Sequence, residues 1–129
     1  MDTRAGHRPP RRITVVEDDE NIAGLLAFLL EREGFAPEIV GDGRAALEHA
    51  ARCEPPSAMV LDQLLPCRNG LAVATALRAD PRWGEVPILL LGATRSAGGA
   101  GARVDAWLEK PFDPGALITE LKRLAKERP

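Results

Sequence analysis

Three near-continuous apolar runs punctuate the chain: Ile13-Thr14-Val15-Val16, Ala58-Met59-Val60-Leu61 and Ile88-Leu89-Leu90-Leu91. They show no alternation of apolar and polar residues, the pattern of strands covered on both faces. Ile39-Val40 and Val104–Leu108 complete five strand candidates. Between them apolar residues return at helical spacing. Ile22, Leu25, Leu26 and Leu29 predict a helix behind the capping acids Asp18 and Asp19, ending near Gly34. Asp42 caps a second helix through Arg52, with Ala46, Leu47, Ala50 and Ala51 inward and Pro55-Pro56 beyond. A loop, Gln63–Asn69, leads to a third helix from about Gly70 to Ala79, and Pro81 and Gly84 mark the next loop, under which Trp83 is expected to pack. Asp113-Pro114 opens the last helix as cap and first residue. Leu117, Ile118, Leu121, Leu124 and Ala125 form its apolar stripe. Strands alternating with helices predict an α/β fold, a doubly wound five-stranded parallel sheet with helices on both faces.

Composition narrows the class. A length of 129 residues suits one domain, and 45% apolar with 28% charged residues excludes wholesale disorder. The longest mostly apolar stretch, Ile22–Leu30, is far shorter than the roughly 20 residues of a spanning helix. The acids Glu17–Glu20 stand before it where a signal peptide carries positive charge. Two cysteines, Cys53 and Cys67, are too few for a disulfide scaffold and read as reduced thiols of a cytoplasmic protein. A net charge of −2 argues against a dedicated nucleic-acid binder. The charge is uneven: Arg4, Arg8, Arg11 and Arg12 against Asp2 give residues 1–12 a sum of +3, leaving −5 for the rest. Residues 1–12 read as a disordered basic leader, with an arm for an acidic partner as the alternative, and residues 13–127 as the folded unit.

The candidate chemistry lies where ligands bind in such sheets, beyond the carboxyl ends of the strands. The first strand delivers Glu17, Asp18 and Asp19, the third Asp62, the fourth Gly92-Ala93-Thr94, and the fifth Glu109-Lys110-Pro111. Carboxylates gathered within a few ångströms resist ionising together, and a hard divalent cation such as Mg²⁺ removes the conflict. The lysine supplies a compact positive charge for a phosphate. Taken singly, Glu17–Glu20 reads as a helix cap, Asp62 as a turn residue and Lys110 as a surface lysine. Their joint placement on successive strand ends points instead to Mg²⁺-assisted phosphoryl chemistry.

The segments Val15-Val16-Glu17-Asp18-Asp19-Glu20, Val60-Leu61-Asp62-Gln63-Leu64-Leu65-Pro66 with Gly70, Pro87-Ile88-Leu89-Leu90-Leu91 and Trp107-Leu108-Glu109-Lys110-Pro111-Phe112 resemble the receiver domain of bacterial response regulators. The likeness covers about residues 12–127 and implies the flavodoxin-like (βα)5 fold. It implies that Asp62 accepts a phosphoryl group from a sensor histidine kinase or a histidine phosphotransfer protein. By the same resemblance Glu17, Asp18, Asp62 and the backbone carbonyl of Leu64 hold Mg²⁺, and Lys110 contacts the phosphoryl group. Lys110-Pro111 matches a bond usually cis in the family, and Trp107 matches its aromatic switch residue.

Two departures stand out. Gly92 occupies the place of the family's Ser or Thr switch, whose hydroxyl binds the phosphoryl group. Losing a hydrogen bond to a charged group weakens a population shift by about 10- to 150-fold. The N–H of Ala93 and the ammonium of Lys110 remain, and Thr94 is a weaker substitute. Gly92, Gly98, Gly99 and Gly101 put four of the twelve glycines into ten residues, so Thr94–Arg103 is expected as a shortened helix or a mobile loop. The reading is therefore a stand-alone signalling receiver, not an enzyme, in two-component signalling. It has a downstream protein partner, no DNA-binding domain, no membrane segment, and a homodimer as an open option. The alternative is an interaction module whose state is independent of phosphorylation; a third reading, an unrelated Mg²⁺-dependent phosphatase or nucleotide enzyme, lacks a Gly-rich phosphate loop. Cys67 and His49 read as packed and surface residues, and His7 lies in the leader.

Overall fold

Apolar runs without alternation bury both faces of their strands, and the sheet uses each face for a separate core. The computed structural model describes residues 10–65, 69–92 and 104–126. Strands β1 (Arg12–Val16), β2 (Ala36–Val40), β3 (Ala58–Asp62), β4 (Ile88–Gly92) and β5 (Ala106–Glu109) are parallel, in the order β2-β1-β3-β4-β5. Helices α1 (Glu20–Arg32), α2 (Gly43–Arg52), α3 (Gly70–Arg78) and α4 (Pro114–Lys126) connect and follow them. Ile13, Val15, Val60, Leu89 and Leu91 face α1 and α4 through Leu26, Leu30, Leu117 and Leu121. Val16, Met59, Leu61, Ile88 and Leu90 face α2 and α3 through Ala46, Ala50, Val73 and Leu77. Successive strand residues thus alternate between two apolar cores.

The helix starts follow the anticipated caps. Asp19 Oδ1 accepts the N–H groups of Asn21 and Ile22, Asp42 that of Ala45, and Asp113 that of Ala116. Asn69 adds the cap of α3 through the N–H of Ala72. Helix α1 closes at its C-cap Glu33, and the chain turns away at Gly34, whose φ of +88° suits glycine. There the N–H of Phe35 reaches the Leu30 carbonyl and that of Gly34 reaches the Glu31 carbonyl, so these two helix-end carbonyls are satisfied. Trp83 is fully buried beneath the loop that leads to β4, and the Arg78 guanidinium ties that loop down through the carbonyls of Trp83, Gly84 and Val86.

Several expectations need correction. On α1 the buried residues are Ala23, Leu26 and Leu30, whereas Leu25 is 45% exposed. On α2 Ala46 and Ala50 are buried, Leu47 is half-buried and Ala51 is exposed. β5 starts at Ala106, because the Asp105 carboxylate instead accepts the Ile88 N–H at 2.8 Å and pairs with Arg78. β1 takes in Arg12, assigned to the leader by sequence, whose guanidinium grips Glu38 at 2.7 and 3.1 Å. His49 is half-buried rather than superficial, with Nε2 3.3 Å from Glu38 Oε1. The expectations for Thr94–Arg103, for residues 1–9 including His7, for Cys67 and for Ala93 fall outside the described residues.

Candidate functional site

The strand order reverses direction at β1 and β3, and the carboxyl ends of these neighbours form the crevice that binds ligands in open α/β sheets. Register sets which residues meet there. Val16 lies beside Leu61, so Glu17 and Asp18 emerge next to Asp62. Glu17 and Asp62 are only 3% and 2% exposed, whereas Asp18 is exposed. Ligand oxygens of Glu17, Asp18 and Asp62 lie within 4.8 Å of one another.

The buried acids are held by backbone. Glu17 Oε2 accepts the Asp19 N–H at 3.1 Å, and the Glu17 N–H donates to the Val40 carbonyl at 3.0 Å. Asp62 Oδ1 accepts the Leu64 N–H at 3.1 Å, which fixes the Leu64 peptide beside the cluster while its side chain is 68% exposed. Lys110 approaches from the far side. Its N–H donates to the Gly92 carbonyl at 2.8 Å, and its ammonium lies 3.0 Å from Asp62 Oδ2 and 3.8 Å from Glu17 Oε1. The Lys110-Pro111 bond is cis.

Burial pushes the Glu17 carboxyl up to about 7; the Asp62 charge adds to the rise, and the Asp19 N–H and Lys110 oppose it. Among the described residues Glu17 Oε1 is buried with no hydrogen-bond partner. Among the described residues three carboxylates therefore face one ammonium, and Glu17 Oε1 meets it only at 3.8 Å. An all-oxygen donor set with surplus negative charge fits a hard divalent cation.

Gly92 ends β4 with two side chains crowding its Cα. A Cβ there would collide with Gln63 Oε1 and lie 3.0 Å from Trp107 Cζ2. The sequence predictions thus bring Glu17, Asp18, Asp62, Leu64, Lys110, Gly92 and Trp107 to one end of the sheet. They missed Gln63, whose side chain is buried in the same place. Its signal was a polar residue directly after Asp62, matched to a missing side chain at position 92.

An apolar groove of about 460 Å³ shares Lys110 with the acid site and is otherwise lined by Ile22 and Leu25 of α1 and by Pro111, Phe112 and Pro114.

Comparison with known proteins agrees with this arrangement. The family model described as the response regulator receiver domain matches residues 13–122. The DNA-binding response regulator MtrA of Mycobacterium tuberculosis is 37% identical over 116 residues, covering 87% of this chain and 49% of that protein. The regulatory protein SphR of Synechococcus elongatus is also 37% identical, covering 92% and 50%. The chain thus spans about half the length of the curated relatives it matches. A sensor protein from Polaromonas superposes with a TM-score of 0.83 at 37% identity, covering 92% of this chain and 98% of that one. The receiver domain of the sensor histidine kinase PA1611 from Pseudomonas aeruginosa superposes with a TM-score of 0.83 at 26% identity, covering 92% and 99%. That structure holds a magnesium ion in its active-site cleft. Among the described residues no helix is long and apolar enough to cross a membrane. Fold, acid cluster and sequence agree: the chain belongs to the response regulator receiver family, signalling modules of two-component systems rather than enzymes.

Proposed function

We propose that residues 13–127 form a receiver unit that accepts a phosphoryl group on Asp62 from a histidine kinase or a histidine phosphotransfer protein. The observation that carries the reading is the triad Glu17, Asp18 and Asp62 gathered at the ends of β1 and β3, with the Lys110 ammonium on Asp62. A carboxylate oxygen of Asp62 attacks the phosphorus of a phosphohistidine. The P–N bond breaks, its electron pair stays with the donor imidazole, and Asp62 becomes an acyl phosphate. Two-sided anchoring by Leu64 and Lys110 keeps the carboxylate in place for in-line attack, the chief contribution a protein makes to phosphoryl transfer. Lys110 balances charge on the phosphoryl oxygens. Glu17, Asp18, Asp62 and the Leu64 carbonyl would hold Mg²⁺, which supplies charge neutralisation when bound.

The donor docks in the groove between α1 and the turn into α4. Lys110 lines both that groove and the acid site, so a helical partner seated there presents its histidine next to Asp62. Gly92 favours a second reading, a module whose partner binding is independent of phosphorylation, and this reading requires Asp62→Asn to signal normally. The first reading is tested with acetyl phosphate and Mg²⁺, followed by intact mass. One phosphoryl group is expected on the wild-type protein and none on Asp62→Asn. A wild-type protein that stays unmodified beside a working receiver control overturns it.

A further inference from the structure

Gly92 leaves an opening in the phosphoryl site, and the structure shows what fills it. The Gln63 side chain is 7% exposed, and its Oε1 occupies the space where a Cβ on residue 92 would stand. Among the described residues that oxygen has no hydrogen-bond partner. The indole Nε1 of Trp107 is likewise buried without a partner among the described residues, and the same ring lies 3.0 Å from the Cβ position at Gly92. An orphan acceptor and an orphan donor therefore border one glycine. Buried polar groups are nearly always bonded, so two such orphans side by side call for an explanation.

We propose that Gln63 and Gly92 are a matched pair, in which the Gln63 carboxamide does the work of the absent hydroxyl. This rests on the reading of Asp62 as the phosphoacceptor. The Gln63 backbone is pinned on both sides, its N–H to the Leu91 carbonyl at 2.7 Å and its carbonyl to the Gly70 N–H at 2.8 Å. Only the side chain is free to respond. A carboxamide carries a two-proton donor and an acceptor on one rotatable group. When Asp62 carries a phosphoryl group, the Gln63 NH₂ turns to donate to a phosphoryl oxygen, and Oε1 turns to accept the Trp107 indole N–H. Both orphans are satisfied in the phosphorylated state only, which biases the side chains toward it. A residue larger than glycine at position 92 would block the rotation.

The test uses the full chain with beryllium fluoride and Mg²⁺ as a phosphoryl mimic, and acetyl phosphate with intact mass as a check on Asp62. Binding is expected to change the emission of Trp107, and Trp107→Phe to remove the change, leaving buried Trp83 silent. The near-isosteric Gln63→Met is expected to weaken beryllium fluoride binding about tenfold or more, the loss of a hydrogen bond to a charged group, and to abolish the emission change. Gln63→Ala loses the same binding, and adding Gly92→Ser to it restores affinity to within about threefold of wild type by returning a hydroxyl to the vacated space. A purely structural role for Gln63 does not predict this rescue. Wild-type affinity and emission change in Gln63→Met overturn the inference, as does a double variant no better than Gln63→Ala. A wild-type protein that takes up no phosphoryl group overturns the parent reading as well, and mass distinguishes that case.

Discussion

Replacing Gly70 by alanine inserts a single methyl group where backbone crowds the site. Gly70 is the first residue of α3, and its N–H closes the loop after β3 by donating to the Gln63 carbonyl at 2.8 Å. An added Cβ would collide with the Asp62 carbonyl oxygen and lie 2.9 Å from Gln63 Cα and 3.0 Å from the Asp62 carbonyl carbon. All three neighbours are backbone, so no side chain can swing away. Relief requires α3 to move off the end of β3. Overpacking of this kind costs about 1–3 kcal/mol. Alanine's better helix propensity offsets less than the roughly 1 kcal/mol it brings in a helix interior, because residue 70 is at the first turn. A net loss of about 1–2 kcal/mol corresponds to a fall of roughly 4–12 °C in Tm for a domain of this size. The strain is centred on the Asp62 peptide, so the rate of phosphorylation falls further than stability does. A misplacement of about 1 Å can cost about a hundredfold in rate. Thermal unfolding by circular dichroism gives the first quantity, and the rate of mass gain with acetyl phosphate below the transition gives the second. A variant that melts at or above the wild-type temperature and phosphorylates at the wild-type rate refutes the reasoning.

Three further outcomes are expected. Mg²⁺ raises Tm by mass action on the folded state, and Glu17→Gln or Asp62→Asn reduces the rise, as read in a melting series over Mg²⁺ concentration. Leu25→Asp slows phosphorylation by a histidine phosphotransfer donor about tenfold or more but leaves acetyl phosphate labelling unchanged, because the groove serves only a docked protein. The Glu38 carboxyl is held below its ordinary value by the Arg12 guanidinium, against a smaller opposing effect of burial and with His49 assisting. A depressed acid stabilises the fold above its unfolded value of 4.5 and loses that contribution as pH falls through its lower folded value. Glu38→Gln should therefore flatten the acid limb of a Tm–pH curve below about pH 4.5, by about 1 kcal/mol or less, since the pair is partly exposed.

Much of the fold is legible along the chain because its signals are local. A strand buried on both faces is apolar along nearly its whole length, even where β1 carries the buried Thr14, which identifies β1, β3 and β4. Asp19, Asp42 and Asp113 cap the first N–H groups of their helices within three residues of sequence, so they too can be read without partners. β2 carries a weaker signal, because an edge strand tolerates Pro37 and Glu38, and Ile39 is exposed there. The inward stripe on α1 is ambiguous in sequence because Leu25, Leu26, Leu29 and Leu30 offer overlapping helical faces. Which one turns inward depends on where the sheet lies.

For the site, sequence determined which chemistry is present: acids after the first and third strands and a lysine after the fifth. Those residues follow strand ends, and a parallel sheet necessarily brings its strand ends together. The tertiary structure alone decided how they interlock. It set the 3.0 Å contact of Lys110 with Asp62, the burial that raises Glu17, and the occupation of Gly92's empty space by Gln63. Each depends on register between strands remote in sequence and on the exclusion of water. No pattern along a single segment encodes either one.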